Sequence, residues 1–303
     1  MTFRKIVFFT SLVISTLSCH TQRSEFANSK DSVVIHYRTF GEGEPLLIIN
    51  GGPGMNSDGF ESLAVKLSET CQTIIYDQRG TGKSLLPIID TSTITMQLMI
   101  DDIENLRKKL QIESWSILGH SFGGMVASYY ATRHPEKINK LILSSSGGID
   151  LELLSYVREA IDSKLSPTDL DSVRYWSDKI AAGDTSHATR LERGKHLAPA
   201  YVYDTRYLPV IAERLTQGNA EINQLMWANL RKIKFDCAPQ LKSFTKPVLI
   251  IQGKEDIVRL ETAEKAQVLL PNCKFVIMDH CIHYGWLDNP EVYFKEVTNF
   301  LNS

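Results

Sequence analysis

The positions with the most chemical potential are Gly119-His120-Ser121-Phe122-Gly123-Gly124. Before them runs Trp115-Ser116-Ile117-Leu118, a short apolar run that reads as a buried strand. After them, Met125 to Arg133 reads as a helix stopped near Pro135, because proline lacks the amide hydrogen a helix interior needs. A strand feeding a helix through G-x-S-x-G is the pattern of a nucleophile elbow. Its serine sits on a strained turn, and the flanking glycines let strand and helix approach closely. Ser121 is therefore the candidate nucleophile.

A serine hydroxyl attacks a carbonyl at neutral pH only with a base in contact, and the base is held by a third group. Behind an elbow of this kind the partners follow in the order acid, then histidine. Gly253-Lys254-Glu255-Asp256, after the apolar run Val248–Ile251, offers two carboxylates. Asp256 fits the G-x-x-D loop spacing, with Glu255 as its competitor. Two histidines, His280 and His283, come after the last apolar run and compete for the role of base. His120, beside the nucleophile, is expected to brace the elbow, and His20, His36, His134, His187 and His196 have no triad spacing. Acyl transfer also needs donors for an oxyanion. The N–H of Phe122, the residue after the nucleophile, is one candidate and Gly52 the other; each such donor is worth about 3 kcal/mol in the transition state.

The elements that must hold these groups alternate. Val33–Arg38 reads as an early edge strand, Leu46–Ile49 and Thr73–Tyr76 as buried strands, and Leu141–Leu143 as a sixth strand after the elbow helix. Between them lie helices around Phe60 to Leu67 and from Ile94 to Leu110. The second is capped by Ser92 or Thr93, with Asp101, Asp102 and Glu104 expected to face water. From about Ile149 to Gln240 the alternation gives way to an almost wholly helical stretch. It resumes with Val248–Ile251, a helix from Glu261 to Leu270, a strand Lys274–Met278, and a last helix opening at Asn289-Pro290. Such alternation predicts a mostly parallel sheet with helices on both faces, the helical insertion lying over the carboxyl ends of the strands. The expected division is a leader over residues 1–19, a first core part over 20–148, a helical cap over 149–240, and a second core part over 241–303.

At 303 residues the chain can bury a large core. Its apolar share of 43%, charged share of 22% and net charge of −2 give no reason to expect nucleic acid or an anionic membrane surface as a partner. Gly80-Thr81-Gly82-Lys83-Ser84 lacks the first glycine of G-x-x-x-x-G-K-[ST], which argues against nucleotide binding. Neither a metal nor another cofactor is expected. Arg4 and Lys5 precede an uncharged run from Ile6 to Leu17, too short to span a bilayer and of the length of a signal-peptide core. It ends Thr16-Leu17-Ser18-Cys19, which resembles a bacterial lipobox. That implies export with a lipid anchor on Cys19 as the only membrane contact, simple secretion being the alternative. Cys71, Cys237, Cys273 and Cys281 show no C-x-x-C spacing, and buried free thiols are expected.

Asn50-Gly51-Gly52-Pro53-Gly54 and Asp77-Gln78-Arg79-Gly80-Thr81-Gly82-Lys83-Ser84, taken with the elbow, resemble the HGGPG and DQRGxGxS loops of an α/β-hydrolase of the proline iminopeptidase-like group. The resemblance covers about residues 33–148 and 245–303. It implies an eight-stranded, mostly parallel sheet with an inserted helical cap. It also places the catalytic histidine seven residues before a proline opening the last helix, which His283 meets with Pro290 and His280 does not. Departures from the family pattern are Asn50 for histidine and Phe122 for tryptophan. The group binds a free amino terminus with cap glutamates, and Glu192 and Glu221 are the candidates here. Asp77 and Arg79 are expected to pair and pin their loop. The resemblance thus implies a metal-free serine hydrolase removing an amino-terminal residue from short peptides. A small-molecule carboxylesterase and a catalytically idle exported binding module are the alternatives.

Overall fold

The computed structural model describes residues 22–29, 31, 33–152 and 154–303. The expected leader and Cys19 lie outside them. Eight strands form one sheet: β1 (Arg23–Asn28), β2 (Val34–Phe40), β3 (Pro45–Ile49), β4 (Gln72–Tyr76), β5 (Trp115–His120), β6 (Ile138–Ser144), β7 (Val248–Gly253) and β8 (Cys273–Met278). Their order is β1-β2-β4-β3-β5-β6-β7-β8. β1 and β2 pair antiparallel, as do β2 and β4, and every later pair is parallel. Val33–Arg38, expected at the edge, is therefore the second strand. The edge belongs to β1, whose polar Arg23-Ser24-Glu25 gives no apolar run to read.

Side chains alternate across a strand, so the sheet sorts its apolar residues into two layers. Leu47, Ile49, Ile74, Ile117, Leu141 and Ile250 meet α2 (Met96–Lys109) and α3 (Phe122–Arg133) on one face. Leu46, Ile48, Ile75, Leu118, Ile142 and Leu249 meet α1 (Glu61–Leu67) and the last helix, α12 (Pro290–Asn302), on the other. Both layers are dry at the centre, with Leu47, Ile74, Ile117 and Leu249 at 0% exposure. Each such side chain is worth about 1.5–3 kcal/mol of burial.

Between β6 and β7 the chain is helical: α4 (Val157–Ser163), α5 (Pro167–Ala181), α6 (His187–Leu197), α7 (Leu208–Leu215), α8 (Ala220–Lys232) and α9 (Ala238–Leu241). Ser166, Ser186 and Asn219 cap three of these by accepting from the amides of Asp169, Thr189 and Ile222. α10 (Leu260–Leu269) and α11 (Gly285–Asp288) complete the second core part. Cys71, Cys237, Cys273 and Cys281 are free thiols, and Cys273 alone of the four is half-buried instead of buried. Among the described residues no helix is long and apolar enough to cross a membrane.

Two sequence expectations in α2 are corrected. The cap is Thr95, which accepts from the Leu98 amide, not Ser92 or Thr93. Asp102 and Glu104 are buried, at 1% and 6% exposure, because each has a guanidinium waiting inside. Asp102 takes Arg79 Nε and Nη2, both at 2.8 Å. Glu104 takes Arg107 Nε and Nη2, both at 2.8 Å, and the Tyr130 hydroxyl at 2.5 Å. Burial alone would raise the Glu104 carboxyl, but the bonds from Arg107 and Tyr130 outweigh it and hold its pKa down at about 2. A folded pKa below the ordinary 4.5 gives stabilisation that is complete above pH 4.5 and lost as pH falls toward 2. In urea unfolding followed from pH 5 to pH 2, the wild type should therefore lose on the order of 3 kcal/mol more than Glu104→Gln. Equal slopes would show that this carboxylate is not held down.

Candidate active site

β5 ends at His120, and α3 begins at Phe122 with a single residue between them. That residue, Ser121, has φ 56° and ψ −122°, a region that costs a side-chain-bearing residue about 1–3 kcal/mol. The strain is held by backbone bonds at both of its peptide groups. Ser121 N–H donates to the Ser144 carbonyl at 3.0 Å, and the Ser121 carbonyl accepts from Gly124 and Gly147, both at 2.9 Å. Close packing explains the glycines. A Cβ on Gly123 would fall on the Ile49 carbonyl, and one on Gly51 would lie 2.6 Å from Ser121 Cβ. β3, its following loop and the elbow thus touch backbone to backbone.

Asp256 and His283 meet beside this turn. His283 Nδ1 lies 2.7 Å from Asp256 Oδ1, with the two side chains 3% and 1% exposed. Asp256 Oδ1 also accepts from the Val258 amide at 3.1 Å, and the His283 amide donates to the Tyr201 carbonyl at 3.0 Å. The competitors have other tasks. Glu255 accepts from the Cys281 amide at 3.1 Å and so pins the histidine loop. His280 stacks on Tyr203, 5.2 Å between ring centroids.

His283 is joined to the elbow through His120. Their rings lie 4.7 Å apart, and His120 also packs on Phe60, Tyr284 and Trp286. His120 is 1% exposed, and among the described residues neither of its ring nitrogens has a hydrogen-bond partner. Burial, with the nearby charges of His283 and Arg214, keeps its pKa well below the ordinary histidine range. It is a neutral aromatic wall, which agrees with a bracing role.

Two backbone amides complete the setting. Phe122 opens α3, so its N–H has no acceptor within the helix. Gly52 follows β3 in the loop facing the elbow, and among the described residues neither amide donates to another part of the chain. Asn50, standing where the family carries histidine, donates from Nδ2 to the carbonyls of Gly51 at 3.2 Å and Met55 at 3.0 Å, so it braces its own loop. Phe122 packs against Trp227 of α8, 6.2 Å between centroids.

The expected pairing of Asp77 with Arg79 does not occur, because the turn sends the two side chains to different elements. Asp77 bonds His36 Nδ1 at 2.9 Å, Ser57 N at 3.0 Å and Lys83 N at 2.9 Å, while Arg79 reaches Asp102. His36, which had no triad spacing in the sequence, is thereby a structural partner of Asp77. Glu192 pairs with Lys195 at 2.6 Å on the α6 surface, and Glu221 is exposed in the first turn of α8. Neither bonds Ser121, Asp256 or His283.

The sequence reading missed Arg214 of α7. It is 3% exposed, donates from Nη2 to the Gly51 carbonyl at 3.0 Å and from Nη1 to the Asn56 carbonyl at 2.8 Å, and lies over the Phe60 ring. No local spacing marks it, since α7 reads as an ordinary amphipathic helix.

With fold and site in hand, the comparisons agree. A family model described as alpha/beta hydrolase fold matches residues 44–290, and the chain belongs to that family. A proline iminopeptidase of Heyndrickxia coagulans is 30% identical over 275 residues, covering 87% of this chain and 92% of the relative. Among solved structures, an esterase from Exiguobacterium antarcticum superposes with a TM-score of 0.73 at 20% identity, over 93% of this chain and 100% of that one. A proline iminopeptidase of Mycobacterium smegmatis gives 0.72 at 23% identity, over 92% and 98%.

The contact between Gly51 and the elbow makes a direct prediction. Gly51→Ala must push the loop off Ser121, and a displacement of about 1 Å near reacting groups costs about 10²-fold in rate. The variant should remain folded by circular dichroism yet lose about 10²-fold in ester hydrolysis. Retention of full activity would show that the loop and elbow need not touch.

Proposed function

We propose that the protein is a serine hydrolase working through an acyl-enzyme. Ser121 Oγ attacks the substrate carbonyl as its proton passes to His283 Nε2. Asp256 keeps the imidazole in the tautomer with hydrogen on Nδ1 and stabilises the imidazolium. The Gly52 and Phe122 amides donate to the oxyanion. Collapse expels the leaving group, which takes the proton from His283, and water then repeats the sequence on the acyl-serine. The observation that carries this reading is the 2.7 Å bond between two buried side chains, His283 and Asp256, with the same imidazole in tilted contact, 4.7 Å between ring centroids, with the residue preceding Ser121.

The finer reading is an aminopeptidase of proline iminopeptidase type acting on short peptides. Its support is the name carried by the relative at 30% identity, together with the two loop motifs. A second reading, a small-molecule carboxylesterase, is favoured by the cap: Glu192 already pairs with Lys195 at 2.6 Å instead of being held in place for a substrate ammonium.

Assays on a proline arylamide, its N-acetylated form and a p-nitrophenyl ester separate the two. The peptidase reading expects the free-amine arylamide to be cleaved and its acetylated form to be refused. Ester cleavage with no such requirement favours the esterase. A fluorophosphonate probe should label the wild type and leave Ser121→Ala untouched, and Asp256→Asn should lower kcat by about 10⁴-fold. A wild type that is never labelled would favour the idle binding module and sink the acyl-enzyme.

A further inference from the structure

Arg214 is a charge with no obvious reason to be where it is. It is buried, and among the described residues no carboxylate pairs with it. Its guanidinium is met by the carbonyls of Gly51 and Asn56, the Gln217 side chain at 2.5 Å and the face of Phe60 at 5.1 Å. The Tyr284 hydroxyl also bonds the guanidinium, and among the described residues Arg214 Nε has no hydrogen-bond partner. Burial pulls its pKa below the ordinary arginine value, but a guanidinium keeps its proton at any ordinary pH. Filling the same space with an apolar side chain would join α7 to Phe60 without the cost of a desolvated charge.

What the charge does is visible in the peptide it holds. The bond between Gly51 and Gly52 is trans, as are all peptide bonds among the described residues, so its C=O and N–H point in opposite directions. Two donors fix the Gly51 carbonyl: Arg214 Nη2 at 3.0 Å and Asn50 Nδ2 at 3.2 Å. With the carbonyl turned toward Arg214, the Gly52 N–H is turned away from it. Gly51 itself is packed on Ser121. A charged donor on a carbonyl also polarises the peptide unit, which strengthens the N–H at its other end.

We propose that Arg214 is a positioning residue for acyl transfer: from the cap, it orients and polarises the Gly51–Gly52 peptide so that the Gly52 amide is held ready for the oxyanion. The proposal rests on the acyl-enzyme reading above but not on whether the substrate is a peptide or an ester. Arg214 is thus one of several links between cap and site, beside the Tyr201 carbonyl that accepts from the His283 amide and Trp227 against Phe122, and it is the cap side chain that bears on the Gly51 carbonyl.

The test measures binding that depends on the oxyanion against binding that does not. An aryl trifluoromethyl ketone is captured when Ser121 Oγ adds to its carbonyl carbon, the hydroxyl proton moves to His283, and the carbonyl electron pair becomes an oxyanion. The corresponding trifluoromethyl carbinol, neutral and without a carbonyl for Ser121 to attack, binds without that step. Arg214→Gln, which keeps a donor but loses the charge, should weaken ketone binding and lower kcat on a p-nitrophenyl ester by about 10²-fold. KM and carbinol affinity should stay within threefold. Arg214→Lys, which keeps the charge on a smaller head, should recover part of the loss. If Arg214→Gln does not fold, Arg214→Lys with and without added guanidinium chloride at low millimolar concentration gives the same readout, with rescue of kcat expected. Folded variants whose ketone affinity and kcat both match the wild type overturn the proposal, as does a loss confined to melting temperature and KM. Failure of the wild type itself to bind the ketone or react with a fluorophosphonate would instead count against the acyl-enzyme reading.

Discussion

Around residue 121 three stretches of backbone are in contact: the end of β3 with its loop, the β5–α3 turn, and the chain leaving β6. No side chain fits between them, which is why the Ile49 carbonyl lies where a Cβ on Gly123 would be. The turn's φ of 56° is tolerable only because the carbonyl and amide of Ser121 are bonded to Ser144, Gly124 and Gly147. Everything else about the site follows from this packing. It exposes the hydroxyl at the carboxyl ends of the strands, sets Gly51 against it, and fixes His120 as a surface for the His283 ring.

Most of this was legible in the sequence because it is written in short-range spacing. The elbow, the parallel core strands and the order of nucleophile, acid and histidine depend on residues whose backbone role leaves a local mark. Asp256 over Glu255 was readable from loop spacing. His283 over His280 needed the family pattern, and the structure supplies the physical reason: only 283 reaches the acid, while 280 turns to Tyr203. What escaped notice was long-range pairing between polar groups. β1 has no apolar alternation to announce it, since it holds to β2 through polar side chains such as Glu25 with Tyr37 and Ser24 with His36. Asp102 looked like a solvent-facing charge because its partner Arg79 is distant in sequence, and Glu104 because its i,i+3 pair with Arg107 reads like a surface pair until Tyr130 of α3 closes over it. Arg214 was invisible for the same reason, being 163 positions from the glycine carbonyl it holds.

Buried charge is used in two different ways in this molecule. In the core are satisfied carboxylate–guanidinium pairs: Arg79 joins the loop after β4 to Asp102 of α2, and within α2 Arg107 pairs with Glu104, which also accepts from the Tyr130 hydroxyl of α3. At the junction of cap and core, Arg214 is met among the described residues by neutral oxygens. The first kind is self-neutralising and leaves little field outside itself. The second leaves a net positive charge in a dry region behind the loop that carries Gly52, where screening by water is weak.

The antiparallel β1–β2–β4 arrangement also has a geometric consequence. Two reversals make β1 run in the same direction as the parallel strands, with Arg23 opposite Thr39 and Asn28 opposite Val34. The chain therefore comes into the sheet from the amino-end side of the strands and climbs toward the rim where Ser121 and Asp256 emerge.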